Sequence, residues 1–286
     1  MIPANFEYTR AATVDEALSA LGQAGTMVIS GGQSLIPLMR FRRIQPQRLI
    51  DIGALAELRG VSVEHGIARI GAATTYRESI ASKALHTAVP LVPEVSELVG
   101  DLQLRNLGTI GGALVYADPF ADMPAVMLAL DATFHLQSLG GGRDVAARDF
   151  FRGPFQTALM QGELLVAISI RVTPRGTGTA YANFEKSASG YSQVGVAAAV
   201  SRGRDGIVTA ASVAITSVAP TPFLVGAAST LVGTDGSASL ISQVAAAAVA
   251  GVTVHPDAHT TSDYRLHLAA VAVRRAVTTA LERATS

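Results

Sequence analysis

Two glycine turns limit most strongly how this chain can fold. Gly31-Gly32 lies between a short apolar segment, Met27–Ile29, and a helix-like segment, Leu35–Phe41. Glycine adopts positive φ at little cost and lets the backbone approach a ligand without a Cβ in the way. The N–H groups of residues 32–34 would then converge at the start of a helix, an arrangement suited to phosphate oxygens.

A second turn, Gly108-Thr109-Ile110-Gly111-Gly112, repeats this arrangement far along the chain and adds the hydroxyl of Thr109. Together the two turns predict a site that holds both ends of one pyrophosphate. Neither matches the G-x-G-x-x-G or G-x-x-x-x-G-K-[ST] pattern, which disfavours a Rossmann dinucleotide site and a nucleotide-triphosphate P-loop. The run Gly140-Gly141-Gly142 lies between two strand-like segments and predicts only a hairpin turn.

Composition narrows the classes of function. The 286 residues carry 22 basic and 22 acidic side chains, so no global field attracts nucleic acid or an anionic membrane. The chain has no cysteine, which excludes disulfides and cysteine-ligated iron–sulfur or zinc sites within it. The segment MIPANFEYTR lacks signal-peptide features, and no uninterrupted apolar stretch reaches about 20 residues. We expect a cytoplasmic protein without stable membrane insertion.

Hydrophobic periodicity divides the chain into three parts and predicts an α+β fold. Residues 1–55 predict helix, strand, helix and strand, with a capping box at Thr13 and Glu16. Residues 56–174 change to period two, which indicates antiparallel hairpins, and include a second capping box at Thr75 and Glu78. The predicted elements there are Val61–Ile70, Val92–Val99, Met123–Leu130, Thr133–Leu136, Val145–Ala147 and Leu164–Ile170.

Residues 179–286 predict a separate C-terminal unit. Arg171–Thr179 contains Pro174, Gly176 and Gly178 and has the composition of a linker. Beyond it we expect three antiparallel strands and then two helices, at Tyr181–Lys186, Gly195–Ser201, Ile207–Ser217, Ala238–Val252 and Asp263–Arg283.

Three segments follow one another with a distinctive order and spacing: SGGQSLIPLM at residues 30–39, RNLGTIGG at 105–112 and DPFADMP at 118–124. They resemble the FAD-binding motifs of the flavoprotein medium subunit of the xanthine dehydrogenase and carbon monoxide dehydrogenase (molybdenum hydroxylase) family. The resemblance extends to Ser262-Asp263-Tyr264-Arg265. It implies a two-part FAD-binding domain of the vanillyl-alcohol-oxidase (PCMH) type, residues 1–55 and 56–174, before a C-terminal flavoprotein domain.

The resemblance also implies which residues bind FAD. The two turns would hold the diphosphate, and Val99 would touch the cofactor through its main chain. Asp122 would accept hydrogen bonds from FAD hydroxyls, although an acidic residue at a helix N-terminus explains it equally well. The diphosphate residues are Gly31, Gly32, Gln33, Ser34, Thr109, Gly111 and Gly112.

Three further residues are carried over near the flavin ring. Leu165 would pack near the isoalloxazine, Tyr191 would gate access to it, and Lys186 would support it electrostatically. For Leu165 alone, an ordinary core leucine is the stronger explanation. Ser189-Gly190-Tyr191 departs from the family's Arg-x-Gly-Asp-Tyr pattern because it lacks the arginine and the aspartate.

The histidines give no catalytic or metal-binding prediction. His255-x-x-x-His259 has a ligand-like spacing, but Pro256 between them favours a surface loop. Neither a Ser-His-Asp set nor a carboxylate pair can be singled out from the sequence, so hydrolytic catalysis has no support.

By resemblance, this chain is the FAD-binding electron-transfer subunit of a molybdenum hydroxylase. A large subunit would carry the molybdenum cofactor and a small subunit two [2Fe–2S] clusters, assembled as a dimer of heterotrimers. The alternatives are a self-contained FAD-dependent oxidoreductase of the same fold and a cofactor-free scaffold. Gln33 and Ala117-Asp118-Pro119 look closer to hydroxylases of N-heteroaromatic compounds or aldehydes than to carbon monoxide oxidisers.

Overall fold

A small parallel sheet forms the first layer of the structure, a computed structural model that describes residues 2–186, 190–255 and 260–284. Its strand order is β1-β3-β2, and the 3.0 Å hydrogen bond from the Ala11 N–H to the Asp51 carbonyl continues the ladder past β1. The elements are β1 (Glu7–Arg10), α1 (Val14–Leu21), β2 (Thr26–Ile29), α2 (Leu35–Arg40) and β3 (Arg48–Asp51). The sequence did not predict β1, whose four side chains are all exposed.

A five-stranded antiparallel sheet forms the second layer, in the order β4-β5-β10-β6-β7. Its strands are β4 (Val61–Glu64), β5 (Ile67–Gly71), β6 (Thr133–Ser138), β7 (Gly141–Ala146) and β10 (Leu164–Arg171). The predicted hairpin between β6 and β7 is confirmed, with Gly141 and Gly142 already inside β7. A two-stranded ribbon, β8 (Phe151–Gly153) and β9 (Gln156–Thr157), precedes β10.

Six short helices lie between β5 and β6 and cover one face of this sheet. They are α3 (Tyr76–Ala81), α4 (Lys83–Ala88), α5 (Leu91–Leu98), α6 (Leu102–Leu107), α7 (Ile110–Tyr116) and α8 (Met123–Ala129). The capping box at Thr75 and Glu78 opens α3 as predicted. Buried residues of α5, α8, β5, β6 and β10 form one hydrophobic core, in which Phe134 and Phe150 are fully buried.

The C-terminal part is a sheet covered by two helices, in the order β11-β12-β13-β14. Its elements are β11 (Thr177–Glu185), β12 (Ser192–Arg202), β13 (Val208–Thr216), β14 (Phe223–Leu224), α9 (Ala238–Val249) and α10 (Ser262–Arg283). The expected three-stranded sheet thus has a fourth strand. It was missed because two residues are too short to show a period.

The predicted linker Arg171–Thr179 is also shorter than expected, because β10 ends at Arg171 and β11 begins at Thr177. Gly178 is in a strand, and a Cβ there would overlap the carbonyl oxygen of Ala280 in α10. This glycine therefore allows a helix to pack closely on the sheet instead of making the chain flexible.

Among the described residues, no helix is long and apolar enough to cross a bilayer, and no group of three or more histidine, aspartate or glutamate residues is arranged to hold a metal ion. The cytoplasmic location stays a prediction, as do the domain boundaries.

Candidate FAD site

The first glycine turn ends in a set of main-chain donors without acceptors. Gly32 has a φ of +72°, in the left-handed region predicted for it. Within the part of the chain that the structure describes, no acceptor receives the N–H groups of Gly32, Gln33 or Ser34. Ser34 stands at the N-cap of α2, but its side chain makes no capping bond. These amides are therefore available to an external anion.

Ser30, directly before the turn, adds a buried polar atom. Its Oγ is shielded from solvent and has no hydrogen-bond partner among the described residues. An unsatisfied buried hydroxyl costs free energy, so such an atom calls for an explanation. A ligand oxygen bound at the turn would give the Ser30 hydroxyl a hydrogen-bond partner. Gln33 does not fill this role, since its Nε2 donates to the carbonyl of Gly31 at 3.0 Å.

The second glycine turn lies directly against the first. A Cβ at Gly31 would overlap the carbonyl oxygen of Leu107 and would stand 2.9 Å from the Cα of Gly108. Only a glycine at position 31 therefore permits this contact. The structure thus brings together the two turns that the sequence analysis had paired.

The amides of the second turn are occupied within the protein. Ile110 and Gly111 donate to the carbonyls of Thr74 and Ala72, at 3.0 and 2.9 Å. The Gly112 N–H donates to Thr109 Oγ1 at 3.2 Å, which caps α7. A Cβ on Gly111 would lie 2.5 Å from the Ala72 oxygen. Gly111 therefore lets the turn close on the end of β5, while Gly112 keeps an exposed face.

Tyr76 connects the turns with Asp122. Its N–H donates to the carbonyl of Gly108 at 3.0 Å, and its buried ring lies beside that glycine. Burial raises the pKa of Tyr76, and the nearby charges of Asp122 and Tyr191 add to the shift. Tyr76 thus contacts the second glycine turn and lies near enough to Asp122 and Tyr191 to feel their charges.

Asp122 is buried at the N-cap of α8 and makes no capping bond. Its Oδ1 accepts the hydroxyls of Tyr181 and Ser192, each at 2.5 Å. Burial raises the pKa of Asp122, and the two hydroxyl donors oppose that shift. One carboxylate oxygen therefore binds the C-terminal sheet, which leaves Oδ2 as the oxygen for another donor.

The segment 117–122 carries several contacts between the helical layer and the C-terminal sheet. Thr216 Oγ1 donates to the carbonyl of Ala121 at 2.8 Å, and the Ser217 N–H donates to the carbonyl of Pro119 at 3.0 Å. With the two bonds to Asp122, three strands of the C-terminal sheet hold this segment.

Lys186 and Tyr191 lie at the two ends of the loop between β11 and β12. The Lys186 N–H donates to the Tyr191 carbonyl at 2.8 Å, and Lys186 Nζ stands 4.7 Å from the centre of the Phe120 ring. Tyr191 is 48% exposed, and partial burial, followed by the charge of Asp118, raises its pKa to about 12. Ser189, part of the departure from the family pattern, lies outside the described residues, as does His259.

Val99 and Leu165 are placed differently from the turn residues. The Val99 carbonyl accepts from Arg105 Nη1 at 3.2 Å, and its N–H donates to the Ser96 carbonyl at 3.4 Å. Leu165 is 2% exposed and belongs to the hydrophobic core under the five-stranded sheet. Both main-chain groups of Val99 are therefore occupied within the protein, and Leu165 is a core residue.

Sequence reasoning did not single out Ser30, Tyr181 or Ser192. Ser30 lies inside the quoted motif SGGQSLIPLM, so that motif was the available signal. For Tyr181 and Ser192 the sequence carries none, because their shared partner Asp122 lies 59 and 70 residues away.

The fold and the two converging turns define a flavoprotein of a specific class. Residues 4–172 match the family model described as the FAD binding domain in molybdopterin dehydrogenase. Residues 179–280 match the model of the CO dehydrogenase flavoprotein C-terminal domain. FAD is therefore the cofactor of this chain.

Similar proteins narrow the class further. The medium chain of carbon monoxide dehydrogenase from Hydrogenophaga pseudoflava is 36% identical over 99% of both chains. A solved structure of that dehydrogenase superposes with a TM-score of 0.96 at 35% identity, also over 99% of both chains. Quinoline 2-oxidoreductase from Pseudomonas putida 86 gives 0.94 at 32% identity over 100% of both. The glyceraldehyde dehydrogenase medium chain of Sulfolobus acidocaldarius is 41% identical over 70% of this chain and 71% of its own.

This chain belongs to the family of FAD-binding medium subunits of molybdenum hydroxylases, which includes those of carbon monoxide dehydrogenase and xanthine dehydrogenase. The family assignment and the α+β fold predicted from the sequence are confirmed.

Proposed function

We propose that this chain transfers electrons, through its FAD, from [2Fe–2S] clusters of a small partner subunit to an external acceptor. A large subunit would carry the molybdenum cofactor and oxidise an N-heteroaromatic compound, an aldehyde or carbon monoxide. The assembly would be a dimer of heterotrimers in the cytoplasm. Full-length similarity to medium chains of carbon monoxide dehydrogenase supports the division of labour, as does the absence of cysteine from this chain.

The observation that carries the proposal is the first glycine turn, where three amides without acceptors among the described residues closely follow Ser30, whose buried hydroxyl also has no partner there. In our proposal the amides of Gly32, Gln33 and Ser34 hold one end of the FAD diphosphate. Its flavin ring exchanges electrons singly or in pairs, and so can link one-electron carriers to a two-electron acceptor.

The second turn contributes less directly in this proposal. Thr109 Oγ1 accepts the Gly112 amide, so its own hydroxyl proton is available to a phosphate oxygen. The exposed face of Gly112 allows the cofactor to approach. Gly111 acts by letting the turn close on β5.

Asp122 would accept a hydrogen bond from a cofactor hydroxyl on its Oδ2. Tyr191 and Lys186 would flank the flavin ring, Leu165 would pack near it, and Val99 would touch the cofactor through its main chain. The division into residues 1–55, 56–174 and 179–286 belongs to the same proposal.

Gly32→Asp tests the diphosphate site directly. At about 4 Å and an effective dielectric constant of about 20, two like charges repel by about 4 kcal/mol, so FAD affinity should fall by at least about 100-fold. Gly32→Asn is the matched control, because it has the same size and the same tolerance of positive φ but no charge. The ratio of flavin to protein after purification and a fluorescence titration measure the effect. Equal retention by both variants would contradict the site.

The electron-transfer role is tested by comparing the isolated, FAD-loaded chain with the complex formed with both partner subunits. We expect an organic substrate or carbon monoxide to bleach the flavin absorbance only in the complex. Bleaching of the isolated chain by an organic substrate would favour the self-contained oxidoreductase instead.

A further inference from the structure

The outer face of the five-stranded sheet carries a chain of three hydrogen-bonded side chains on adjacent strands. His135 on β6 pairs in register with Asp144 on β7, and His135 Nδ1 lies 2.7 Å from Asp144 Oδ1. On the other side, His135 Nε2 lies 2.7 Å from Ser169 Oγ on β10. The separations along the chain follow no known motif, so the sequence could not reveal this Ser-His-Asp arrangement.

Elementary chemistry fixes the direction of the hydrogen bonds. An ionised carboxylate has no proton to donate, so His135 Nδ1 carries the proton that it donates to Asp144. In the neutral imidazole Nε2 is then an acceptor, and the Ser169 hydroxyl donates to it. This is the tautomer and orientation that a general base needs to take a proton from a serine.

His135 and Asp144 can be reached from solvent, and Ser169 is partly exposed. The His135 side chain is 24% exposed and that of Asp144 is 64% exposed. Both residues line an open cavity of about 500 Å³ together with Arg69 and Val166. Arg69 pairs in register with Ser169 across β5 and β10, so the two side chains project from the same face. A guanidinium beside the serine offers charged donors to an oxygen that becomes negative.

We propose that Ser169 is an activated nucleophile that accepts acyl groups from small activated carboxylic esters, with His135 as its general base. The Ser169 Oγ forms a bond to the carbonyl carbon while its proton passes to His135 Nε2. The ester C–O bond then breaks, and the leaving alkoxide takes that proton. Water repeats the sequence on the acyl-serine and releases the carboxylic acid.

The roles of the two flanking residues follow from this geometry. Asp144 holds the imidazole in the required tautomer, and Arg69 stabilises the carbonyl oxygen during attack. The central strand β10 is hydrogen-bonded on both sides, to β5 and to β6. Its main-chain amides therefore cannot form an oxyanion hole, and the turnover of esters should be slow.

Reactivity toward a fluorophosphonate separates a nucleophile from a merely structural hydrogen-bond chain. The FAD-loaded full chain is labelled over time and the modified serines are located by peptide mass spectrometry. Ser62 is the internal control, because it is exposed and pairs with Arg69 from β4. No described histidine is hydrogen-bonded to Ser62. Since a positioned general base accelerates a reaction by about 100-fold or more, Ser169 should react roughly 100 times faster than Ser62.

Two variants assign the effect to the hydrogen-bond chain. His135→Gln should bring Ser169 down to the rate of Ser62, and Asp144→Asn should slow it strongly through the wrong tautomer. Hydrolysis of p-nitrophenyl acetate should fall in parallel, while flavin content stays constant and reports that the variants are folded. A Ser169 rate within about tenfold of the Ser62 rate in the unmodified chain would overturn the proposal, whatever the variants do.

Discussion

The two glycine turns look alike in the sequence but differ in what their backbone does. Among the described residues, the amides of the first turn have no acceptors, and the buried hydroxyl of Ser30 just before them has no partner. The second uses the amides of Ile110, Gly111 and Gly112 for bonds within the protein. A repeated Gly-Gly pair therefore does not imply a repeated function. The first turn has main-chain donors that could serve a ligand, whereas the second turn uses its amides to hold itself against β5 and to cap α7.

The contact between the turns gives the largest expected effect among the predictions that follow. Gly31→Ala should lower the free energy of unfolding by about 3 kcal/mol, because the new Cβ meets the backbone carbonyl of Leu107, which cannot rotate away. Urea denaturation of the flavin-free chain measures the change. Gly226→Ala is the control, since no atom of the described residues lies within 4 Å of a Cβ there. Equal midpoints for the two variants would show that the turns do not depend on this contact.

Ser30→Ala tests the first turn. Its expected effects on the free energy of unfolding and on FAD affinity have opposite signs. In the flavin-free chain the substitution removes an unsatisfied buried hydroxyl, so stability should stay constant or rise by about 1 kcal/mol. FAD affinity should fall by about fivefold, the equivalent of one hydrogen bond of about 1 kcal/mol.

Thr26→Val is its matched control. Thr26 Oγ1 is also a buried hydroxyl without a described partner, but it lies on β2, away from the turn. Its removal should leave FAD affinity unchanged. If both variants bind FAD as tightly as the unmodified chain in a fluorescence titration, Ser30 is not a ligand.

Thr109→Ala probes the second turn, with an expected effect about as large as that of Ser30→Ala. Loss of the cap on α7 should cost about 1 kcal/mol in the free energy of unfolding, measured in urea. Thr109→Ser keeps the hydroxyl and should behave like the unmodified chain. If the hydroxyl also reaches a phosphate, FAD affinity falls by about fivefold in the alanine variant alone. An alanine variant with unchanged affinity would restrict the second turn to a structural role.

Local signals predicted much of the fold. Thr75 and Glu78 form the expected capping box, and the Thr13 hydroxyl caps α1, although Glu16 turns back to the Ala12 N–H. Such signals work because both partners lie within one turn of helix.

The long-range contacts could not be predicted from the sequence. The carboxylate of Asp122 looked like a cofactor ligand or a helix-capping group, and nothing nearby in the chain indicates the hydroxyls that reach it from β11 and β12. Gly178 looked like part of a flexible linker because composition cannot show that a helix packs against it. The first glycine turn could be predicted from the sequence because its donors lie on consecutive residues.

The anchoring of segment 117–122 by hydroxyls has a consequence for recombination between relatives. A foreign C-terminal domain joined at residue 176 would have to bring counterparts of Tyr181, Ser192 and Thr216, or else leave a buried carboxylate and the Ala121 carbonyl without these donors. A glycine matching Gly195 would have to come too, because a Cβ there would overlap the Tyr181 hydroxyl. Gene fusions and chimeras should therefore succeed when these four positions are exchanged together, as one inherited unit.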